Sequence, residues 1–223
     1  TVWTNAAAGV ALAGGSLAAG EWLVLVVALS LFYTGGMYLN DAFDAEIDRR
    51  ERANRPIPRG DVEERTVWRL GWAQLVVGAV LAFALAPAAG GAALGLGAAV
   101  VAYDAWHKKT KLSPLLMGLA RLLVYVTAAV AAGGALGSAG FVFGAVGLFS
   151  WVVGLTYAAK QEAYDRIGAV WPLAVLAVPV VVAAGLGLTP LVALFLAVMV
   201  AWMGWALRLL FRRAAGDVPR ALV

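Results

Sequence analysis

The run WLVLVVALSLFYTGGMYLN occupies Trp22–Asn40, and DAFDAEIDRR continues it at 41–50. The first 19 residues carry no charge, and then acids and arginines arrive together. At 1.5 Å of rise per residue, about 20 apolar residues cross the hydrocarbon core of a bilayer. The stretch therefore predicts a membrane helix whose last turns carry polar groups. A soluble amphipathic helix would break such a run with charge every few residues.

Working outward, the same pattern repeats. Thr1–Gly20 is uncharged and fits one crossing. Leu70–Tyr103 is uncharged for 34 residues, with Pro87, Gly90 and Gly91 near its middle. Leu122–Ala159 is uncharged for 38, with Gly133, Gly134, Gly137, Ser138 and Gly140 at its centre, and Ile167–Leu207 runs for 41 with Gly185, Gly187 and Pro190. Each long run is about two spans joined by a turn. The prediction is all-α: a multi-pass transmembrane bundle of eight helices in four hairpins, forming a single domain over 1–223.

Composition agrees. Hydrophobic residues make up 63% of the chain and charged ones 13%, about half the share in soluble domains. The absence of cysteine excludes disulfides and thiolate chemistry, and one histidine excludes a His-rich metal site. All 17 Lys and Arg residues follow the even-numbered spans or lie in the first turns of the next, while the opposite turns hold only Glu21. That sorting is the positive-inside pattern, and it predicts an inner-membrane protein with both termini cytoplasmic. The net charge of +4 is thus explained by orientation and lipid headgroups rather than nucleic acid. No basic region precedes the first apolar run, so residues 1–20 do not read as a cleaved signal peptide. Because the chain opens inside an apolar run, further native residues are expected upstream.

Asn40, Asp44 and Asp48 stand at i, i+4 and i+8, along one helix face with a drift of roughly 40° per step. Oxygen ligands in such a row suit Mg²⁺, which keeps several waters and takes one or two carboxylates plus substrate phosphates. Arg49, Arg50, Arg52, Arg55 and Arg59 follow. Carboxylates for metal beside guanidiniums for phosphate are the chemistry of a diphosphate site. The bland alternative is a solvated helix end with local ion pairs. Asn40 and Asp44 prolong an apolar helix, and ionisable groups at membrane depth are usually functional. Arg55-Pro56-Ile57-Pro58-Arg59-Gly60 predicts a stiff turn that either holds a basic residue over the site or simply joins two helices.

Two further charged connections lie on the same side. Tyr103-Asp104-Ala-Trp106-His107-Lys108-Lys109 ends the fourth span, and Arg121 sits two turns into the fifth helix after Ser113-Pro114. A guanidinium at that depth needs a partner, either Asp104 or a bound diphosphate; His107 reads as an ordinary surface residue. Lys160-Gln161-Glu162-Ala-Tyr164-Asp165-Arg166 ends the sixth span. Glu162 and Asp165 share a face there, and Lys160 and Arg166 either touch phosphate or snorkel from a helix end.

On these residues the chain resembles the UbiA superfamily of intramembrane prenyltransferases. NDAFDAEID at 40–48 matches that family's Asn-Asp-x-x-Asp-x-x-x-Asp motif, and RPIPRG at 55–60 matches the Arg-Pro-x-Pro-x-Gly that follows it. The likeness covers nearly the whole chain, and YDAWHKK at 103–109 with PLLMGLAR at 114–121 is most similar to the EboC-like bacterial branch. The resemblance implies Mg²⁺-dependent transfer of a prenyl chain from its diphosphate to a small or lipidic acceptor. It implies that Asn40, Asp44 and Asp48, with Asp41 beside them, hold the metal against the diphosphate, and that Arg55 is the basic residue of the following loop. Lys108, Arg121, Lys160 and Arg166 are the other diphosphate candidates. Asp165 is a candidate for metal and, with Glu162, for deprotonating or orienting the acceptor. Phe43, Tyr103 and Tyr157 are candidates for stabilising an allylic cation.

Three features depart from the family's pattern. Gln161 stands where the Asp-x-x-x-Asp motif ending at Asp165 would begin, His107 stands four after Tyr103 where the family has its basic residue, and the spans number eight rather than nine. A rival reading is a non-catalytic carrier or transport partner that kept a diphosphate pocket. The altered second motif favours the carrier, and the intact first motif favours the enzyme. A soluble-type isoprenyl diphosphate synthase is excluded by the spans.

Overall fold

The computed structural model describes residues 2–162, 171–185 and 189–212, and every regular element among them is a helix. In order these are α1 (Val2–Leu12), α2 (Ala19–Glu51), α3 (Pro56–Arg59), α4 (Glu64–Leu85), α5 (Pro87–Trp106), α6 (Ser113–Ala131), α7 (Ala139–Glu162), α8 (Trp171–Leu176), α9 (Val178–Gly185) and α10 (Pro190–Arg212). Five are long and apolar enough to cross a membrane: α2, α4, α5, α6 and the Ala139–Ala158 part of α7. Three shorter apolar helices cover Val2–Leu12, Ala174–Gly185 and Pro190–Trp205.

The chain forms two compact units, one running through Phe141 and the other starting at Val142. In the first, α2 packs chiefly on α4, α5 on α6 and α4, and α1 on α6. Its core mixes large aliphatics (Leu25, Leu29, Leu39, Leu96) with many alanines, among them Ala6, Ala28, Ala82, Ala93 and Ala128. Lipid is as apolar as leucine, so these helices gain little from hiding hydrophobic area and instead associate through close approach of small residues. The outward faces stay apolar: Leu70, Val76, Val80 and Phe83 of α4 are all exposed. Polar bonds tie the interior, with Thr34 of α2 bonded to Gln74 of α4 and the Trp3 indole donating to Ser30 Oγ at 2.9 Å.

Several sequence expectations change in detail. The first apolar run ends as a helix at Leu12, because Gly14 takes φ +69° and Gly15 passes against Ala132. Two backbone bonds, Ser16 N–H to Ala132 O at 3.1 Å and Ala135 N–H to Ala13 O at 2.9 Å, join that turn to the α6–α7 turn. Glu21, the lone charge at this end, accepts the Ala18 N–H at 2.7 Å and caps α2. The α4–α5 turn is Ala86 alone, with Pro87 opening α5. Gly90 and Gly91 fall inside α5; Gly90 is small because the Phe83 ring lies over it. The expected seventh span is broken at Ala177, where Pro179 lacks the N–H that a continuous helix needs. Eight uninterrupted spans are therefore not what the described residues display.

Close approach makes a prediction. A β-carbon on Gly9 of α1 would lie 2.8 Å from the Tyr125 carbonyl oxygen of α6, whereas one on Gly91 would meet nothing within 4 Å. Gly9→Leu is expected to destabilise the protein by about 1–3 kcal/mol. Gly91→Ala is expected to stabilise it by about 0.5–1 kcal/mol. Thermal midpoints in detergent read both, and an unchanged midpoint for Gly9→Leu would refute the α1–α6 contact.

Candidate functional site

At 33 residues, α2 is roughly 50 Å long, so its last turns extend well past its apolar run. Those turns meet the start of α4 and the end of α5, and the polar groups of the first unit gather there. Arg49 pairs with Glu64 at 2.6 Å, and Glu46 takes Arg50 at 2.6 Å. These exposed pairs are weak contributors to stability. The Arg55–Gly60 stretch, expected as a stiff turn, folds into the single helical turn α3, opened by Pro56 and closed by Gly60 at φ +82°. In the loop beyond, a hydrogen bond from the Arg59 guanidinium holds the Asp61 carboxyl below the ordinary carboxylate range.

Asp44 and Asp48 sit deeper, and each motif residue has a partner. Asp44 and Asp48 are 7% and 2% exposed. Asp44 Oδ2 receives Lys108 Nζ at 2.8 Å, with His107 Nε2 at 3.7 Å. Arg55 bridges two acids: Nη1 lies 2.9 Å from Asp41 Oδ1 and Nε lies 3.9 Å from Asp48 Oδ2. Arg52 is 3.9 Å from Asp48 Oδ1, an oxygen that has no hydrogen bond among the described residues. Asn40 Nδ2 donates to Asp104 Oδ1 at 3.1 Å. Asp104, one of the two partners the sequence offered for Arg121, is bonded here to Asn40.

A cavity of about 530 Å³ opens among α1, α2, α5 and α6. One part of its wall is polar, with Asn40, Asp41, Arg55, Asp104, His107 and Arg121; the rest is apolar, with Leu29, Phe32, Leu96, Val100 and Val124. The structure thus brings Asn40, Asp41, Arg55 and Arg121 to one space, while Asp44 and Asp48 lie outside its wall. Height along the helix accounts for this, since at 1.5 Å per residue Asp44 and Asp48 stand roughly 6 and 12 Å beyond Asn40. Arg121 stands over the Tyr33 ring at 5.9 Å.

Some residues surprise. His107, read from sequence as inert surface, stacks on Tyr103 at 5.2 Å and lines the cavity. Phe43 packs edge-on against Trp68 at 4.6 Å instead of facing the cavity. Tyr157 packs against Trp171 in the second unit. Tyr33 was missed, although its position seven before Asn40 puts both on one helix face. The side chains of Lys160 and Glu162, and the whole of Asp165 and Arg166, lie outside the described residues.

Comparison with known proteins accords with the fold. The chain is 37% identical over 117 residues to protoheme IX farnesyltransferase 1 of Cenarchaeum symbiosum, covering 48% of this chain and 40% of that protein. It is 38% identical over 130 residues to digeranylgeranylglyceryl phosphate synthase of Pyrococcus abyssi, covering 55% and 45%. The chain therefore spans less than half the length of these relatives, and their names do not bear on the EboC-like branch. Among solved structures, an apo UbiA homologue from Aeropyrum pernix K1 superposes with a TM-score of 0.80 at 21% identity, over 99% of this chain and 90% of that one. A UbiA homologue from Archaeoglobus fulgidus, bound to DMAPP and Mg²⁺, gives 0.68 at 14%, over 90% and 80%. At such identities the likeness is one of fold. The description "UbiA prenyltransferase family" matches residues 1–222, all but one of the 223, so this chain belongs over its whole length to the UbiA prenyltransferase family of integral membrane proteins.

Proposed function

We propose that residues 1–223 form one membrane prenyltransferase domain that moves an isoprenoid chain from a prenyl diphosphate to a small or lipidic acceptor, with Mg²⁺. The observation that carries this is the two-natured cavity, charged on one part of its wall and apolar over the rest. A prenyl diphosphate has that same division. The Archaeoglobus fulgidus homologue, described with DMAPP or with GPP and Mg²⁺, supports the reading.

The residues present fit the metal. Among the described residues no three His, Cys, Asp or Glu side chains form a ready cage. Mg²⁺ does not need one, because it shares its shell with waters and phosphate oxygens. Asn40, Asp41, Asp44 and Asp48 offer hard oxygens, and Asp48 Oδ1, with Arg52 at 3.9 Å but no hydrogen bond among the described residues, can accept more. Bound there, Mg²⁺ would supply charge neutralisation to the diphosphate.

The chain's own groups do the rest. Arg55 and Arg121, on the cavity wall, would grip phosphate oxygens and hold the negative charge that grows as the allylic C–O bond breaks. Lys108 would turn from Asp44 to the same task. The faces of Tyr33 and Tyr103 would steady the allylic cation. The apolar wall would seat the tail and keep water from that cation. Lys160 and Arg166 would complete the grip on phosphate, with Asp165 on the metal, and Asp165 or Glu162 would deprotonate or orient the acceptor. We place the protein in the inner membrane with both termini cytoplasmic; tag labelling that found the termini on opposite faces would refute that.

The test is transfer in liposomes. Radiolabelled geranyl, farnesyl and geranylgeranyl diphosphates are offered with Mg²⁺ and a bacterial or archaeal lipid extract. Label is expected to pass into an organic-soluble product and to stop on chelation. Gln161, in place of an acid, favours a second reading as a carrier. Tight Mg²⁺-dependent binding with no transfer to any acceptor would establish the carrier, and no binding at all would end both readings.

A further inference from the structure

Asp104 is 6% exposed, and its Oδ2 has no hydrogen bond among the described residues. Burying a carboxylate with half its acceptor capacity unused is expensive. The other buried positions of α5 are Ala89, Gly90, Ala93, Leu96 and Ala99, so packing alone did not call for an acid here. Its bonded oxygen, Oδ1, takes the Asn40 amide across the two helices at 3.1 Å, and both residues line the cavity.

The chemistry of that pair is directional. An ionised carboxylate only accepts hydrogen bonds, whereas a carboxamide has a donor end and an acceptor end. Facing Asp104 Oδ1, Asn40 presents its NH₂ group. Its oxygen, the one atom of that side chain able to bind a hard cation, is then turned away from Asp104. Without Asp104 the amide has two orientations, and one of them offers the cation two N–H donors. We propose that Asp104 is a positioning residue for the diphosphate site: it holds the Asn40 carboxamide in the orientation that presents oxygen to the metal and its bound diphosphate. This rests on the Mg²⁺–diphosphate reading above. Partners of this kind in metal sites fix ligand orientation from behind, and their loss typically lowers metal affinity about 10- to 100-fold.

The test is a double-mutant cycle on the full chain in detergent. Calorimetry measures Mg²⁺-dependent binding of geranyl thiodiphosphate, and the thermal midpoint is recorded without ligand. Asp104→Asn is nearly isosteric and keeps the fold, yet its amide donates as well as accepts and no longer selects one orientation. It is expected to weaken binding about 10- to 100-fold. In an Asn40→Ala background the same change is expected to alter affinity less than about twofold, because the group it acts through is gone. Asp104→Asn binding like the unchanged protein overturns the proposal. So does an equal loss in both backgrounds, which marks Asp104 as a direct ligand or a structural group; a structural group would also lower the midpoint. If the unchanged protein shows no Mg²⁺-dependent binding, the diphosphate reading itself fails and takes this one with it, an outcome plainly distinct from the other two.

Discussion

Asp44→Ala or Asp48→Ala is expected to abolish Mg²⁺-dependent binding of a prenyl diphosphate, a loss of at least about 100-fold, the upper range for losing a well-held metal partner. Both acids are buried and hydrogen-bonded or ion-paired in a polar cluster at the end of an apolar helix. Removing either takes away hard oxygen and also strands a cation: Lys108 loses its 2.8 Å partner, or Arg55 loses one of its two acids. Stranding a charge is itself costly, so the asparagine variants at both positions serve as a milder control of folding. Calorimetry with geranyl thiodiphosphate measures the affinity, and the ligand-free thermal midpoint verifies the fold. Unchanged affinity in both alanine variants means that the first cluster is not the metal site.

Mg²⁺ and diphosphate are expected to strengthen each other's binding about 10-fold or more, within the usual range of coupling between sites. The reason lies in the ion pairs. Asp41 and Asp44 are already engaged by Arg55 and Lys108. A metal arriving alone must displace those cations and leave them without counter-charge. A diphosphate arriving alone must draw the cations away and leave the acids bare. Arriving together, each ligand takes what the other releases. Lys108→Met then has a sign of its own: Mg²⁺ alone should bind more tightly than to the unchanged protein, because its competitor for Asp44 is gone, while the coupling should shrink. Titration of Mg²⁺ with and without saturating pyrophosphate reads both quantities. Equal Mg²⁺ affinity in the two titrations would show that the pairs do not exchange.

Much of this was legible in the chain. Long uncharged runs set the helices, because no span tolerates charge in hydrocarbon and no backbone tolerates lipid without internal hydrogen bonds. Trp22–Asn40 followed by Asp41, Asp44 and Asp48 marked both a helix and a site, since polar groups at the end of a span are kept only for a use. Pro87 and Gly133 announced turns through backbone constraints that need no tertiary partner.

Other features depend on what passes nearby. Gly90 read as a turn residue until the Phe83 ring was seen over it. The break at Ala177 lay inside a run that composition alone called one span. His107 read as surface, and only the approach of α5 to α2 sets it beside Asp44. The periodicity of α2 lined up Asn40, Asp44 and Asp48, but the rise along the helix leaves Asn40 at the cavity and carries the later two past it, to Lys108 and Arg55. The bond from Asn40 to Asp104 joins residues 64 apart. Local chemistry determined which groups this protein brings to its membrane surface; the packing of helices decided which of them face one another, because that depends on crossing geometry and not on spacing along the chain.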